Sequence, residues 1–302
     1  MTGCVRFLRS VLCAAFFTVF GLGSILFSAF LLLPVPRPVA RGVQHALFSL
    51  FVWLGKVTRL FVVEATPEDR ERFKSFRGSV IVSNHISLID FVILVSLLGD
   101  TVCVTKEAVG RNPFLRIVAR KILVVNTGAE DVLRQSRQYL EEGVNVLVFP
   151  EGTRTPATDA EHVFRRGAAH LALAAGVPVE TLFIACDPPV LGKHQPWWEV
   201  GDRTIRYSFA YRGRIPAAPT VPLDVYAIQR RRSRELTQQM QEIVQFADTI
   251  NNAPDSGEEF DNINNLSNVF REDEVIPSLP SEEILKNAPE QAEDHFLVRN
   301  HA

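Results

Sequence analysis

The chain has 302 residues and 47% apolar composition, enough to bury a substantial core as one large domain or two small ones. Its formal net charge of −2 conceals an asymmetry: residues from Asp255 onward carry 12 acids against 3 basic residues, leaving 29 basic against 22 acidic before them. A basic body with an acidic tail suits an anionic membrane surface, nucleic acid or an acidic carrier protein, while Cys4, Cys13, Cys103 and Cys186 are too scattered for a zinc site or a disulfide framework and point to a reducing, cytosol-facing location.

Val11 to Leu33 is apolar and uncharged, close to the roughly 20 residues that cross a hydrocarbon core, with Arg6 and Arg9 before it. A signal peptide fits less well, since the run is long and Pro34 to Pro38 offers no small-residue cleavage site. Val43 to Val63 mixes Phe48, Phe51, Trp53, Leu54, Leu60 and Phe61 with His45, Lys56 and Arg59, the pattern of a helix lying in the interface. Residues 1–65 are therefore expected to form a membrane anchor, re-entrant or interfacial, with basic flanks on the same side.

Beyond it, Ser79–Ser83, Thr101–Thr105, Ile122–Asn126 and Val144–Phe149 read as strands, and their nearly continuous apolar character is that of strands buried on both faces. Ser87–Leu98, Asn112–Ala119, Ala129–Glu142 and Val163–Ala175 have helical spacing, with Gly143 and Gly176 as stops. Further strands are expected at Val179–Cys186 and Arg203–Ala210, followed by a polar helix from Arg230 to about Ile250. The alternation predicts an α/β sandwich with a largely parallel sheet over residues 66–250. Residues 251–302, acidic and rich in Asn, Ser and Pro, have the composition of an unstructured tail.

Two stretches at strand ends carry candidate chemistry, because open α/β sheets bind ligands where loops leave the carboxyl ends of their strands. In "SNHISLID" Asp90 is placed to reach back to one imidazole nitrogen of His85, leaving the other to take a proton. Ser87-x-x-Asp90 is equally a capping box, in which the acid satisfies a free backbone amide. In "FPEGTRT" Gly152 lets backbone approach a ligand and Arg154 can bind phosphate or carboxylate bidentately, although a tight turn with a surface ion pair would also satisfy the pattern.

Together, N-H-x-S-x-x-D at Asn84–Asp90 and F-P-E-G-T-R-T at Phe149–Thr155 resemble the glycerolipid acyltransferase family, with support from "NPFLR" at Asn112–Arg116 and "FRRGAAHLALAAGVPV" at Phe164–Val179. The resemblance covers roughly residues 75–215. It implies a membrane-bound O-acyltransferase in which His85 is the general base, Asp90 orients it, and Glu151, Gly152, Thr153 and Arg154 line the head-group site of a lysophospholipid such as lysophosphatidic acid. The implied co-substrate is an acyl thioester of acyl carrier protein or coenzyme A. No other cofactor, no metal and no nucleic acid are implied, and the implied location is the cytoplasmic face of a bacterial inner membrane. Two positions depart from the family pattern: Asn126 or Thr127 stands near the phosphate-gripping arginine, with Arg116, Arg120 and Lys121 as substitutes, and Glu180-Thr181 replaces a second proline. These departures leave room for a rival, a lipid-binding or scaffolding protein of the same fold. A basic cluster at Arg230–Arg232 and Arg234, and "KHQPWW" at Lys193–Trp198, fit either a membrane surface or ordinary solvated and packed positions.

Overall fold

Short runs of Val, Ile and Leu make the centre of a seven-stranded sheet, and their alternation sends side chains to two separate helical layers. The computed structural model describes residues 2–111, 116–155, 163–193, 195–196, 198, 203–217, 226–251, 291–292 and 295–296. Residues 1–253 form one unit and 254–302 a second.

The first unit runs α1 (Thr2–Phe30), α2 (Arg37–Val57), β1 (Phe61–Glu64), α3 (Pro67–Ser75), β2 (Val80–Ser83), α4 (Asp90–Leu97), β3 (Thr101–Lys106), α5 (Glu107–Arg111), α6 (Arg116–Ile122), β4 (Leu123–Asn126), α7 (Ala129–Glu141), β5 (Asn145–Val148), α8 (Gly167–Ala175), β6 (Val179–Asp187), β7 (Ile205–Ile215) and α9 (Tyr226–Asn251). The strand order is β1-β7-β6-β2-β5-β3-β4, parallel throughout except between β6 and β7. This is the expected α/β sandwich. In the second unit, β8 (Gln291–Ala292) pairs antiparallel with β9 (His295–Phe296).

β2 shows how the layers arise. Ile81 joins a core with Phe51, Phe61, Ile93 and Leu94 on one face, while Val80 and Val82 join another with Leu171, Met240 and Val244. Central strands so enclosed need apolar residues at every position. Gly176 closes α8 in the left-handed conformation (φ 65°), a position where glycine costs least.

The structure redraws the boundary expected at residue 65. The second apolar segment is not one interfacial helix from Val43 to Val63: α2 ends at Val57, and Phe61–Glu64 form β1, paired with β7 from Phe61↔Ile205 to Glu64↔Ser208. Leu60 and Phe61 are buried, and Phe16 of α1 and Phe51 of α2 pack against the Phe61 ring with centroids 6.0 and 5.5 Å away. Gly55 is required here, since a Cβ would meet the Phe61 ring at 2.2 Å. Arg41 of α2 makes a bidentate pair with Asp100, at 2.7 and 2.9 Å, in the turn before β3. Sequence could not reveal this docking because the aromatic residues that suit a lipid surface suit a protein core equally.

The outer faces of the same helices remain apolar and exposed, at Leu8, Val19, Leu22 and Leu26 on α1 and at Leu50, Trp53 and Val57 on α2. Residues Cys4–Phe30 are long and apolar enough to cross a membrane. Such a surface is consistent with membrane association.

Candidate active site

β2 and β5 are neighbours in the sheet, paired from Val80↔Val146 to Val82↔Val148, so the loops leaving their carboxyl ends lie side by side. The first carries His85 and the second Glu151 to Arg154. Backbone ties them: the Glu151 carboxylate accepts from the His85 amide at 3.0 Å, and the Thr155 amide donates to the His85 carbonyl at 2.8 Å. The imidazole stacks on Phe149, centroids 4.3 Å apart.

Asp90 opens α4 and is fully buried. Its Oδ2 lies 2.9 Å from His85 Nδ1 and accepts from the amides of Ile86 and Ser87, each at 2.8 Å, while Oδ1 accepts from Ser87 Oγ at 2.5 Å. One carboxylate closes the turn and also meets the ring, but Ser87 does not cap α4, which begins at Asp90 with Ile89 as its N-cap and no side-chain cap bond. With Nδ1 facing Asp90, Nε2 is the nitrogen presented outward, on a side chain 21% exposed. Such a pair can accept a proton from a substrate hydroxyl and stabilise the imidazolium formed.

Asn84, which precedes the histidine, has a structural task that the motif alone does not announce. Its side chain donates to the Ile184 carbonyl at 2.8 Å and accepts from the Ile184 amide at 2.7 Å, a backbone-like bridge that prolongs the β2–β6 pairing past the last strand residue. The available signal is its position, since an asparagine at a strand end is a common local hydrogen-bonding device.

The head-group candidates divide. Gly152 turns with φ 67°, and a Cβ there would sit 3.6 Å from the Arg165 side chain, whose backbone amide donates to the Pro150 carbonyl. Arg165 thus flanks the loop, a role beyond its place in the supporting stretch Phe164–Val179. Arg154 Nη1 donates to the Leu191 and Gly192 carbonyls at 3.0 and 3.1 Å, tying down the segment after β6. Thr153, between Gly152 and Arg154, is half-buried.

Of the substitutes for the family's arginine, Arg116 and Arg120 are exposed and Lys121 donates to the Leu33 carbonyl, while Thr127, at the departing position, bonds Asp131 at the start of α7. Lys106 is a residue to which no sequence motif points: it ends β3, exposed and in register with Asn126 of β4, at the same edge of the sheet as His85 and Glu151. The "NPFLR" stretch lies outside the described residues apart from Arg116. In the Arg230–Arg234 cluster Arg231 is solvated and paired with Glu235, and in "KHQPWW" Trp198 is exposed.

Cys186 ends the apolar run of β6 near this edge. Burial, ahead of every neighbouring group, pushes its thiol up to about 11, so it is protonated at neutral pH and unsuited to nucleophilic attack. Burial likewise holds the Tyr207 phenol well above its ordinary value. Among the described residues no cluster of three or more His, Cys, Asp or Glu has the arrangement of a metal site.

Comparison with known proteins assigns the two parts of the chain. The Acyltransferase family model matches residues 32–185, just over half of the chain. Human 1-acyl-sn-glycerol-3-phosphate acyltransferase alpha is 28% identical over 220 residues, covering 69% of this chain and 75% of that protein. The crystal structure of the 1-acyl-sn-glycerophosphate (LPA) acyltransferase PlsC from Thermotoga maritima shares the fold, with TM-score 0.51 and 22% identity over 80% of this chain and 98% of that one. A second model, the Glu-tRNAGln amidotransferase C subunit, matches residues 230–298. The C subunit of glutamyl-tRNA(Gln) amidotransferase from Geobacillus stearothermophilus is 38% identical over 77 residues, 24% of this chain and 76% of that protein. Residues 251–302, which have the composition of an acidic tail, thus contain most of a recognisable segment. The chain belongs to the acyltransferase family, and a segment matching the amidotransferase C-subunit family is joined behind its catalytic unit.

Proposed function

We propose that the chain transfers a fatty acyl group from an acyl carrier protein or coenzyme A thioester to the hydroxyl of a lysophospholipid such as lysophosphatidic acid, at the cytoplasmic face of a bacterial inner membrane. The observation that carries this reading is the buried Asp90 carboxylate held against His85 Nδ1 at 2.9 Å, beside a glycine loop that also carries Arg154. His85 Nε2 takes the acceptor's hydroxyl proton as its oxygen attacks the thioester carbonyl. The C–S bond then breaks, and the departing sulfur receives that proton from the imidazolium. Glu151, Gly152 and Thr153 shape the head-group loop, and Arg154, Arg165 and Lys106 supply positive charge for an acceptor phosphate. The complete His85–Asp90 arrangement favours turnover over a purely lipid-binding or scaffolding role.

The test is thiol release and labelled diacyl product from purified protein in vesicles, with each thioester supplied separately. His85→Ala should abolish both signals. Wild-type rates in that variant would overturn the mechanism, and stoichiometric lipid binding without thiol release from the unaltered protein would favour the scaffold.

A second reading applies to residues 230–298 and rests on their match to the C-subunit family. We infer that this segment serves as the C subunit of an aminoacyl-tRNA amidotransferase and assembles with its remaining subunits. This brings a tRNA-directed assembly to a chain whose acyltransferase motifs imply no nucleic-acid partner. Co-purification of those subunits with the full chain tests it, and an amidotransferase that assembles fully on a separate C subunit and ignores this chain would refute it.

A further inference from the structure

The two family matches meet on a single helix. α9 spans Tyr226–Asn251, and the C-subunit match begins at residue 230, so 230–251 belong to both the acyltransferase unit and that match. On the described part of α9, Ser233, Thr237, Met240 and Val244 form a stripe at helical spacing, and all four are buried. Met240 and Val244 sit in the core formed by Ala168 and Leu171 of α8 with Val179 and Phe183 of β6. Gln241 accepts from the Phe164 amide at 3.3 Å, fastening the helix to the segment before α8. Off this stripe Leu236 packs against the same core and Ile243 is half-buried, while the exposed positions are polar and pair along the helix, Arg231–Glu235 at 2.9 Å and Gln238–Glu242 at 2.8 Å.

The buried stripe on the described part of this helix is therefore already used inside the acyltransferase unit. Were α9 to leave in order to join other subunits, it would expose Met240 and Val244 together with the α8 and β6 side chains packed on them, and would open one of the two cores of the catalytic sheet. We propose that the amidotransferase partners dock on this chain while α9 stays seated. They would contact the exposed polar face formed by Arg231, Arg234, Glu235, Gln238 and Glu242, so that an amidotransferase assembled here is held at the lipid surface where the acyltransferase works. This rests on the C-subunit reading above, and adds to it the state of the helix and the place of assembly.

The experiment uses the full chain in phosphatidylglycerol-containing vesicles and the remaining amidotransferase subunits from the same organism, prepared without a separate C subunit. The expected result is that these subunits float with loaded vesicles and not with bare ones. Amide exchange across 233–244 should stay within about twofold of its rate without partners, and acyl transfer should be unchanged within the same margin. Flotation accompanied by a tenfold or greater rise in exchange and a matching fall in acyl transfer would overturn the seated helix while leaving the C-subunit reading intact. Binding in detergent solution but not on vesicles would overturn assembly at the lipid surface. Absence of binding in both settings would remove the C-subunit reading itself, and this proposal with it.

Discussion

Replacing Asp90 separates what the carboxylate does for the fold from what it does for the proposed chemistry. In Asp90→Asn the amide oxygen can keep the three contacts of Oδ2, from His85 Nδ1 and the amides of Ile86 and Ser87, while the new NH2 faces Ser87 Oγ, whose hydroxyl can rotate to accept. Charge-assisted bonds become neutral ones, a loss of about 1–2 kcal/mol in stability. The transition state fares worse, because an imidazolium forming at His85 would no longer face an anion; a fall in turnover of about 10³–10⁴-fold is expected, as for the carboxylate of a serine triad. Asp90→Ala instead strands two buried amides and a hydroxyl, at about 1–3 kcal/mol for each group left unsatisfied, so the expected loss is about 3–9 kcal/mol of stability as well as activity. Thiol release measures turnover and thermal unfolding in detergent measures the fold. An Asn variant retaining more than about a tenth of wild-type turnover, or one as unstable as the Ala variant, would refute the reasoning.

A chain beginning at residue 66 removes β1 and the aromatic contacts of Phe16 and Phe51 with Phe61, so it should be recovered aggregated rather than as a soluble catalytic domain; a cooperative melt from soluble material would contradict this. Asp100→Ala should destabilise more than Arg41→Ala, by about 3–5 kcal/mol in denaturant titrations, because it leaves a guanidinium only 4% exposed without its partner, whereas Asp100 is 44% exposed and water can replace Arg41. Equal losses in the two variants would count against the pair's asymmetry. Cys186, raised from 9.0 to about 11, has its thiolate fraction at pH 8 reduced by about 100-fold relative to an ordinary thiol, so maleimide labelling followed by mass spectrometry should be slower by about that factor and accelerate as pH rises.

The legible parts of the fold are those whose side chains report one environment only. The strands around Ile81, Val146 and Val102 are apolar at successive positions, and no other setting suits such runs, so their places and the α/β class follow directly. The loops at His85 and Glu151 are legible because their polar residues interrupt those runs at strand ends. β1 is hidden because Phe61-Val62-Val63-Glu64 is only four residues long and follows a helix of the same aromatic character. α3, with only Phe73 buried among its charged residues, has little apolar periodicity and is held by the Thr66 cap and Pro67. Lys106 is illegible because a lysine ending a strand has no local signature; its meaning comes from β5 lying between β2 and β3, which is a property of strand order. Over residues 251–298 composition registers only the means of burial within one chain, and does not reveal the match to the C-subunit family.

The link between the N-terminal helices and the proposed chemistry is short. Phe48 of α2 packs edge-on against Phe91 at 5.5 Å, and Phe91 follows Asp90 at the start of α4. α2 is thus joined to the carboxylate by one ring and one peptide, and to His85 by the 2.9 Å contact beyond it. Leu88, between the two members of the pair in sequence, is 47% exposed, so the loop itself adds an apolar side chain to the surface beside the site. If the exposed faces of α1 and α2 rest in lipid, their depth fixes the height of His85 above the acyl chains, and a hydroxyl at the head-group level can meet the imidazole without its chain leaving the bilayer. A flexible tether would confine the enzyme to the membrane but would not set that height. The aromatic contacts from Phe16 to Phe61, with the Arg41–Asp100 pair, are what make the N-terminal helices part of the site's frame.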